Sequence, residues 1–255
     1  MLNFAIETAR DAGNILLEKF GRIETVTKKG DINLVTEADL ASEALIIERI
    51  RSHFPKHAIL AEEAGNAVVA IEGDSGHKWI IDPLDGTTNY AHAYPCFAVT
   101  IALEHQGEIV LGVTLDPTRN ELFAAEKGRG ATLNGKPISV STTDELGNSL
   151  LVTGFPYDIK HREKFAANLT ELLLRSRGVR RDGSAAIDMA YVACGRFDGF
   201  WEEGLSPWDM AAGKLLIEEA GGWVTNYDGS AFSIYRPPVC ASNGLIHNEM
   251  LAVLR

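Results

Sequence analysis

Asp82 and Asp85 stand three residues apart at the end of an apolar run, Trp79-Ile80-Ile81, and are followed by Gly86, Thr87 and Thr88. The apolar run reads as a buried strand. Two carboxylates at its end, then glycine and paired hydroxyls, suit a hard cation and an anion held together. The same residues also suit an ordinary strand-to-helix turn, since Asp, Pro, Gly and Thr are common turn and cap residues. More acids occupy comparable places: Glu62 and Glu63 follow the apolar residues 58–61, Asp209 opens a helix after Pro207-Trp208, and Asp39 lies three residues beyond Thr36. Each has a plain reading, as solvated loop acids, a helix N-cap and the acid of a capping box respectively. Together they form an all-oxygen ligand set with no His or Cys partner, which selects Mg2+ or Mn2+ over zinc or copper.

Several elements must position these residues. Residues 2–20 carry Leu2, Ala5, Ile6, Ala9, Gly13, Leu16, Leu17 and Phe20 at helical spacing, closed by Gly21. A second helix starts at Thr36, presents Leu40, Ala44, Ile47, Ile50 and Phe54 as its apolar face, and ends at Pro55. Residues 97–140 read as antiparallel strands with turns at Gln106-Gly107, Asp116-Pro117-Thr118 and the hairpin dipeptide Asn134-Gly135. Beyond about residue 149 the texture alternates. Strands at 150–153, 198–201, 224 and 239–241 are interleaved with helices at 161–174, 184–194, 209–220 and 245–254. The expected fold is a layered α+β/α/β arrangement. The whole chain, 1–255, is expected as one unit, with an α+β half over 1–148 and an α/β half over 149–255.

Composition narrows the function classes. With 255 residues, 45% of them hydrophobic and 23% charged, the chain can bury a substantial core and reads as a soluble globular protein. Glu7, Arg10 and Asp11 interrupt the first helix, so it is neither a signal peptide nor a membrane span. Cys96, Cys194 and Cys240 fit no zinc pattern and read as buried thiols in a reducing cytosol. The seven histidines show no metal or triad spacing and read as surface or turn residues. A formal charge of −11 argues against direct contact with nucleic acid or anionic membrane. It also means that an anionic substrate needs bound cations to invert the local field. Gly128-Arg129-Gly130 lacks the third glycine of a nucleotide-binding fingerprint, and no P-loop is present.

Three ordered motifs carry a family resemblance: Ala61-Glu62-Glu63, the stretch from Trp79 through Asp82-Pro83-Leu84-Asp85-Gly86-Thr87-Thr88 to Asn89, and Trp208-Asp209-Met210-Ala211-Ala212-Gly213. They resemble the motifs of the inositol monophosphatase family, which are magnesium-dependent, lithium-sensitive phosphomonoesterases. The twenty-residue step from Glu62 to Asp82 and the segment Gly183-Ser184-Ala185-Ala186 fit the same pattern. The resemblance implies an αβαβα layering with a large antiparallel sheet in the first half and a smaller mixed sheet in the second, as in sugar phosphatases. It also implies a homodimer.

The resemblance further implies two to three Mg2+ ions, with Mn2+ as a possible substitute. Glu62, Asp82 and the carbonyl of Leu84 would hold the first ion, and Asp82, Asp85 and Asp209 the second. Glu62 and Thr87 would orient the attacking water, with Asp39 hydrogen-bonding Thr87. The amides of Gly86 and Thr87 would meet the phosphate. On the alcohol side the implied residues are Asp85, Gly183, Ser184, Ala185, Glu202 and Asp209, with residues 155–158 at the rim. Leu84 replaces the commoner Ile, and Ala61 stands where Gly is usual. The implied substrate is inositol monophosphate. Fructose 1,6-bisphosphate, histidinol phosphate and 3′-phosphoadenosine 5′-phosphate are the rivals on the same site. A reading of another class, a protein-binding regulator of the transcription machinery, also attaches to bacterial members of this family.

Overall fold

The computed structural model describes residues 1–22, 26–29, 33–63, 76–155 and 162–254. The chain opens with helix α1 (Leu2–Lys19), strands β1 (Val26–Lys29) and β2 (Asn33–Thr36), and helix α2 (Glu37–His53). Strands β3 (Ala58–Ala61) and β4 (His77–Asp85) lead to the short helix α3 (Thr87–Ala91). Then come β5 (Ala98–His105), β6 (Glu108–Asp116), β7 (Glu121–Glu126), β8 (Ala131–Leu133) and β9 (Lys136–Pro137). The second half runs β10 (Leu150–Thr153), α4 (Arg162–Arg175), β11 (Gly178–Arg180), α5 (Ala185–Ala193) and β12 (Gly199–Glu202). It ends with α6 (Pro207–Glu219), β13 (Trp223–Thr225), β14 (Val239–Ser242) and α7 (His247–Leu254).

Strands β3 to β9 form one seven-stranded sheet in sequence order. Its pairings are antiparallel except for the parallel edge pair β3–β4. A five-stranded mixed sheet has the order β11-β10-β12-β14-β13. There β10 is parallel to β11 and β12, while β14 is antiparallel to β12 and β13.

Side chains alternate along β4, and its two faces join different cores. Trp79 and Ile81 share a core with Ala5, Ala9 and Leu16 of α1 and with Ile46 and Ile50 of α2. Ile80 faces the other way, into a core with Ala190 of α5, Met210 and Leu216 of α6, and Val152 and Phe200 of the smaller sheet. The far side of that sheet, through Leu151, Trp201 and Cys240, is covered by Leu172 of α4 and Met250 and Leu254 of α7. The layers therefore run αβαβα, as expected.

Two helix readings need correction. The second helix does start at Thr36, whose amide donates to Asp39 Oδ2 at 2.8 Å and whose hydroxyl accepts from the Ala38 amide at 3.1 Å. Its buried face, however, is Ala38, Asp39, Ser42, Glu43, Ile46 and Ile50, whereas Leu40 is 55% exposed and Ala44 is exposed. Ile50 is buried as expected and Ile47 and Phe54 pack against the same core, but Leu40 and Ala44 face outward because the first turns of the helix aim Asp39, Ser42 and Glu43 inward. Likewise α6 begins at Pro207 with Ser206 as its N-cap, so Asp209 is the third helical residue and closes a capping box.

The histidines are not all surface or turn residues. His247 is buried, with Nε2 2.8 Å from Thr225 Oγ1 and Nδ1 2.8 Å from Ser242 Oγ. His57, His77 and His105 stack in sequence, with centroids 4.6 and 4.1 Å apart. The buried Trp79 indole donates to His57 Nδ1 at 3.1 Å. Cys96 and Cys240 are buried free thiols, and Cys194 is partly exposed. No helix among the described residues is long and apolar enough to cross a membrane.

Candidate active site

In a regular strand, residues three apart point to opposite faces. Asp82 and Asp85 escape that rule through an irregularity in the β4–β5 ladder. Asp82 pairs with Thr100 and Asp85 with Ala98, so three steps on β4 match two on β5. The extra residue is a bulge, and Pro83, which has no amide hydrogen, lies within it. Both aspartates turn to the same side. There they meet Asp209 from the first turn of α6, and one carboxylate oxygen from each lies within 4.8 Å of the other two.

Protein donors fix the orientation of each carboxylate. Asp82 Oδ1 accepts the Leu84 amide at 2.9 Å. Asp85 Oδ2 accepts the Ser184 hydroxyl and, at 2.8 Å, the Ala186 amide, at the N-terminal end of α5. Asp209 Oδ2 accepts the Ser206 amide at 2.7 Å. The capping box of α6 thus doubles as the support of a site residue.

Burial and mutual repulsion push these acids upward. Asp82 rises well above the carboxylate range, first through burial and then through Glu62, Asp85 and Asp209. Asp209 rises for the same reasons, opposed by the Ser206 amide. Burial also raises Asp85, opposed by its hydrogen bonds to Ser184 and Ala186 and by Arg181. Three desolvated like charges at this spacing are costly unless a cation sits among them. The donors are all hard oxygens, so the residues fit a divalent cation of the Mg2+ class. Glu62 lies in the wall of the same cavity but outside the close aspartate trio.

Thr87 stands beside this cluster as the first residue of α3. Its hydroxyl lies 3.1 Å from the Leu84 carbonyl and 3.3 Å from Asp39 Oδ1, and its one proton can serve only one of them at a time. Burial raises Asp39 to about 6, against the hydrogen bonds from Thr36. The turn into α3 passes through Gly86 at φ +91°, where a Cβ would lie 3.0 Å from the Cys96 carbonyl. Only glycine suits that position. The first amides of the helix have no carbonyl partner within it.

A cavity of about 210 Å³ opens over these groups. Gly183, Ser184, Ala185 and Glu202 line it, as does Trp208. Phe155 stands at its rim, 46% exposed. Residues 156–158, expected at the same rim, lie outside the described residues. Burial, reinforced by Asp85, pushes Glu202 up to about 8, although Arg181 and the Gly154 amide counter it.

Among the lining residues that sequence reasoning missed are Arg181, Gly154 and Asp188. Arg181 is the one basic residue lining the cavity among those described, and its guanidinium lies 5.0 Å from the Phe155 ring centroid. In the sequence it is the second of two adjacent arginines and looks like part of a solvated run. Gly154 packs against Glu202. Asp188 is a buried acid one turn into α5. Its signal in the sequence is that of a single acid in an otherwise apolar helical segment.

Comparison with known proteins bears on what this geometry is for. A sequence model of the inositol monophosphatase family matches residues 1–255. The chain belongs to the inositol monophosphatase family. An inositol-1-monophosphatase of Synechocystis sp. is 47% identical over 255 residues, covering 99% of this chain and 88% of that relative. The Nus factor SuhB of Escherichia coli (strain K12) is 44% identical over 259 residues, covering 100% of this chain and 96% of that protein. The crystal structure of extragenic suppressor protein suhB from Bartonella henselae is 40% identical, with a TM-score of 0.94 over 99% of this chain and 97% of that one. The inositol monophosphatase family is metal-dependent, and its membership makes this chain a phosphomonoesterase with an acidic cluster that could bind metal.

Proposed function

We propose that the chain hydrolyses inositol monophosphate to inositol and phosphate with Mg2+, by direct attack of water. The observation that carries this reading is the trio Asp82, Asp85 and Asp209, convergent in a cavity whose wall also holds Glu202. Glu62, Asp82, Asp85, Asp209 and the Leu84 carbonyl would hold the cations. Bound divalent cations would neutralise charge developing on the phosphoryl oxygens and acidify the attacking water. The protein's part is then positioning and electrostatics, since phosphoryl transfer leaves little covalent chemistry for side chains. Thr87, tethered between Asp39 and Leu84, would orient the water together with Glu62. The Gly86 and Thr87 amides would bind the phosphate, and Asp85, Ala185 and Glu202 the ring hydroxyls.

Glu202 favours a polyol over a second phosphate, because a carboxyl, ionised or neutral, pairs with a hydroxyl but supplies no positive charge for a phosphate. Arg181 in the same wall supplies a cation that a second phosphate could use, which keeps the bisphosphate as the direct rival. Phosphate release from inositol monophosphate, fructose 1,6-bisphosphate, histidinol phosphate and 3′-phosphoadenosine 5′-phosphate, with and without Mg2+, tests the assignment. Turnover of the bisphosphate equal to or above that of inositol monophosphate overturns the order.

The 44% identity to a Nus factor supports a second reading, a protein-binding role at the transcription machinery. The aspartate trio is dispensable for such a role, and a net charge of −11 disfavours direct RNA contact. An Asp82→Asn chain that loses phosphate release yet retains the cellular phenotype would favour it.

A further inference from the structure

Every residue of α5 is buried, and apart from Asp188 and Tyr191 the helix is built of Ala, Ile, Met and Val. Asp188 is 1% exposed, and its Oδ1 has no hydrogen-bond partner among the described residues. A carboxyl oxygen in that state weakens the fold, since burial strips it of water and nothing replaces the lost hydrogen bonds. Packing alone would be better served by Leu or Asn. The metal and phosphate scheme has no use for Asp188 either, because the close trio is Asp82, Asp85 and Asp209.

Asp188 nonetheless lines the cavity, and its second carboxyl oxygen, Oδ2, is not among the sealed, unpartnered atoms. Its charged neighbours are Asp182, Glu202, Asp85 and Arg181, which places it in the sector of Glu202. Arg181 itself is stacked over the exposed Phe155 ring. The same helix fixes Asp85 through the Ala186 amide, so α5 positions both Asp85 and Asp188. An alcohol hydroxyl both donates and accepts, so it can pair with a buried carboxyl whether that carboxyl is ionised or neutral.

We propose that Asp188 is a specificity-determining residue for the alcohol half of the phosphoester, taking a hydroxyl of the polyol in the sector it shares with Glu202. This rests on the reading above that the cavity receives a phosphorylated polyol. It differs from that reading in assigning a hydrogen-bonding role to a buried helix residue outside the expected set.

The test compares Asp188→Leu, Asp188→Asn and the unaltered chain on inositol monophosphate and on p-nitrophenyl phosphate, whose leaving group has no aliphatic hydroxyls. For Asp188→Leu the ratio of kcat/KM between the two substrates should fall about tenfold, the change expected from one lost hydrogen bond of ordinary strength. The fall should come through KM. Asp188→Asn, which keeps a hydrogen-bonding group, should lose less. The Leu variant should also unfold at a temperature equal to or above that of the unaltered chain, because an unpaired buried polar group has been removed.

Equal losses on both substrates, or none on either, overturn the proposal, as does a Leu variant that fails to fold while Asn preserves the ratio. If the unaltered chain prefers another polyol phosphate, the inositol assignment falls. The Asp188 comparison is then scored on that substrate.

Discussion

A Cβ on Gly154 would lie 2.0 Å from Glu202 Oε1 and 2.2 Å from its Cδ, so the Glu202 carboxyl occupies the space any other residue at 154 would fill. The Gly154 amide also donates to that carboxyl. Strand β10 ends just before Gly154, and β12, which carries Glu202, is its parallel neighbour. The missing side chain is what lets an acid at the end of β12 reach back over β10.

Gly154→Ala should therefore push Glu202 out of place without touching the metal ligands. KM for inositol monophosphate is expected to rise by about tenfold, with a much smaller effect on p-nitrophenyl phosphate. Shortening the acid, as in the double variant Gly154→Ala/Glu202→Asp, should recover part of the loss. Steady-state kinetics on the two substrates check this. An unchanged KM in the single variant would mean that Glu202 does not meet the alcohol.

Much of the fold follows from signals that act locally. Apolar alternation at Trp79, Ile80 and Ile81, the hairpin dipeptide at Asn134 and the cap at Thr36 each depend on neighbours within a few residues. Asp82 and Asp85 were visible because proline, glycine and paired acids break a strand pattern conspicuously. Only part of the inner face of α2 follows from hydrophobicity: Ile50 is buried as the spacing predicts, but the first turns do not follow it. There the inside contains Asp39, Ser42 and Glu43, and Leu40 faces out. Asp188, Arg181 and Gly154 were missed for a related reason. Their roles depend on partners far away in sequence, and a residue type alone does not reveal which cavity it will line.

The aspartate trio leads to the second prediction. Asp82→Asn and Asp209→Asn each keep the shape of the side chain while removing one charge from a cluster whose spacing suits a cation. Phosphate release should fall by several orders of magnitude in each variant, and calorimetric titration should show weaker binding of Mg2+. Because burial and mutual repulsion raise both acids, the unloaded variants should be as stable as the parent or more so. Near-normal turnover in saturating Mg2+ would refute the ligand assignment.

Thr87 should separate water positioning from binding. Its hydroxyl is tethered to Asp39 Oδ1 at 3.3 Å and to the Leu84 carbonyl at 3.1 Å, while its amide belongs to the turn at Gly86. Thr87→Ala removes the hydroxyl and keeps the amide. A fall in kcat of roughly a hundredfold is expected, with KM changed by less than about threefold. Thr87→Ser should restore most of the rate. A rise in KM with kcat intact would instead assign the hydroxyl to substrate binding.

His247 supplies a prediction about pH and stability. Its ring is buried between Thr225 and Ser242, and burial pushes its pKa down to about 4. In the unfolded chain the imidazole returns to about 6.5. Between these values the unfolded state binds the proton more tightly, so stability falls as the pH is lowered through that window. The neutral-imidazole contribution is complete above about pH 6.5 and gone below about pH 4. The raised carboxylates of the aspartate trio act in the opposite direction, so the total slope is not diagnostic. The difference between the parent and His247→Gln is. Lowering the pH from 7 to 5 should cost the parent up to about 2 kcal/mol more than the Gln variant. Urea unfolding midpoints measured at both pH values check it, and identical pH slopes in the two proteins would show that His247 takes up its proton in the folded state as readily as in the unfolded chain.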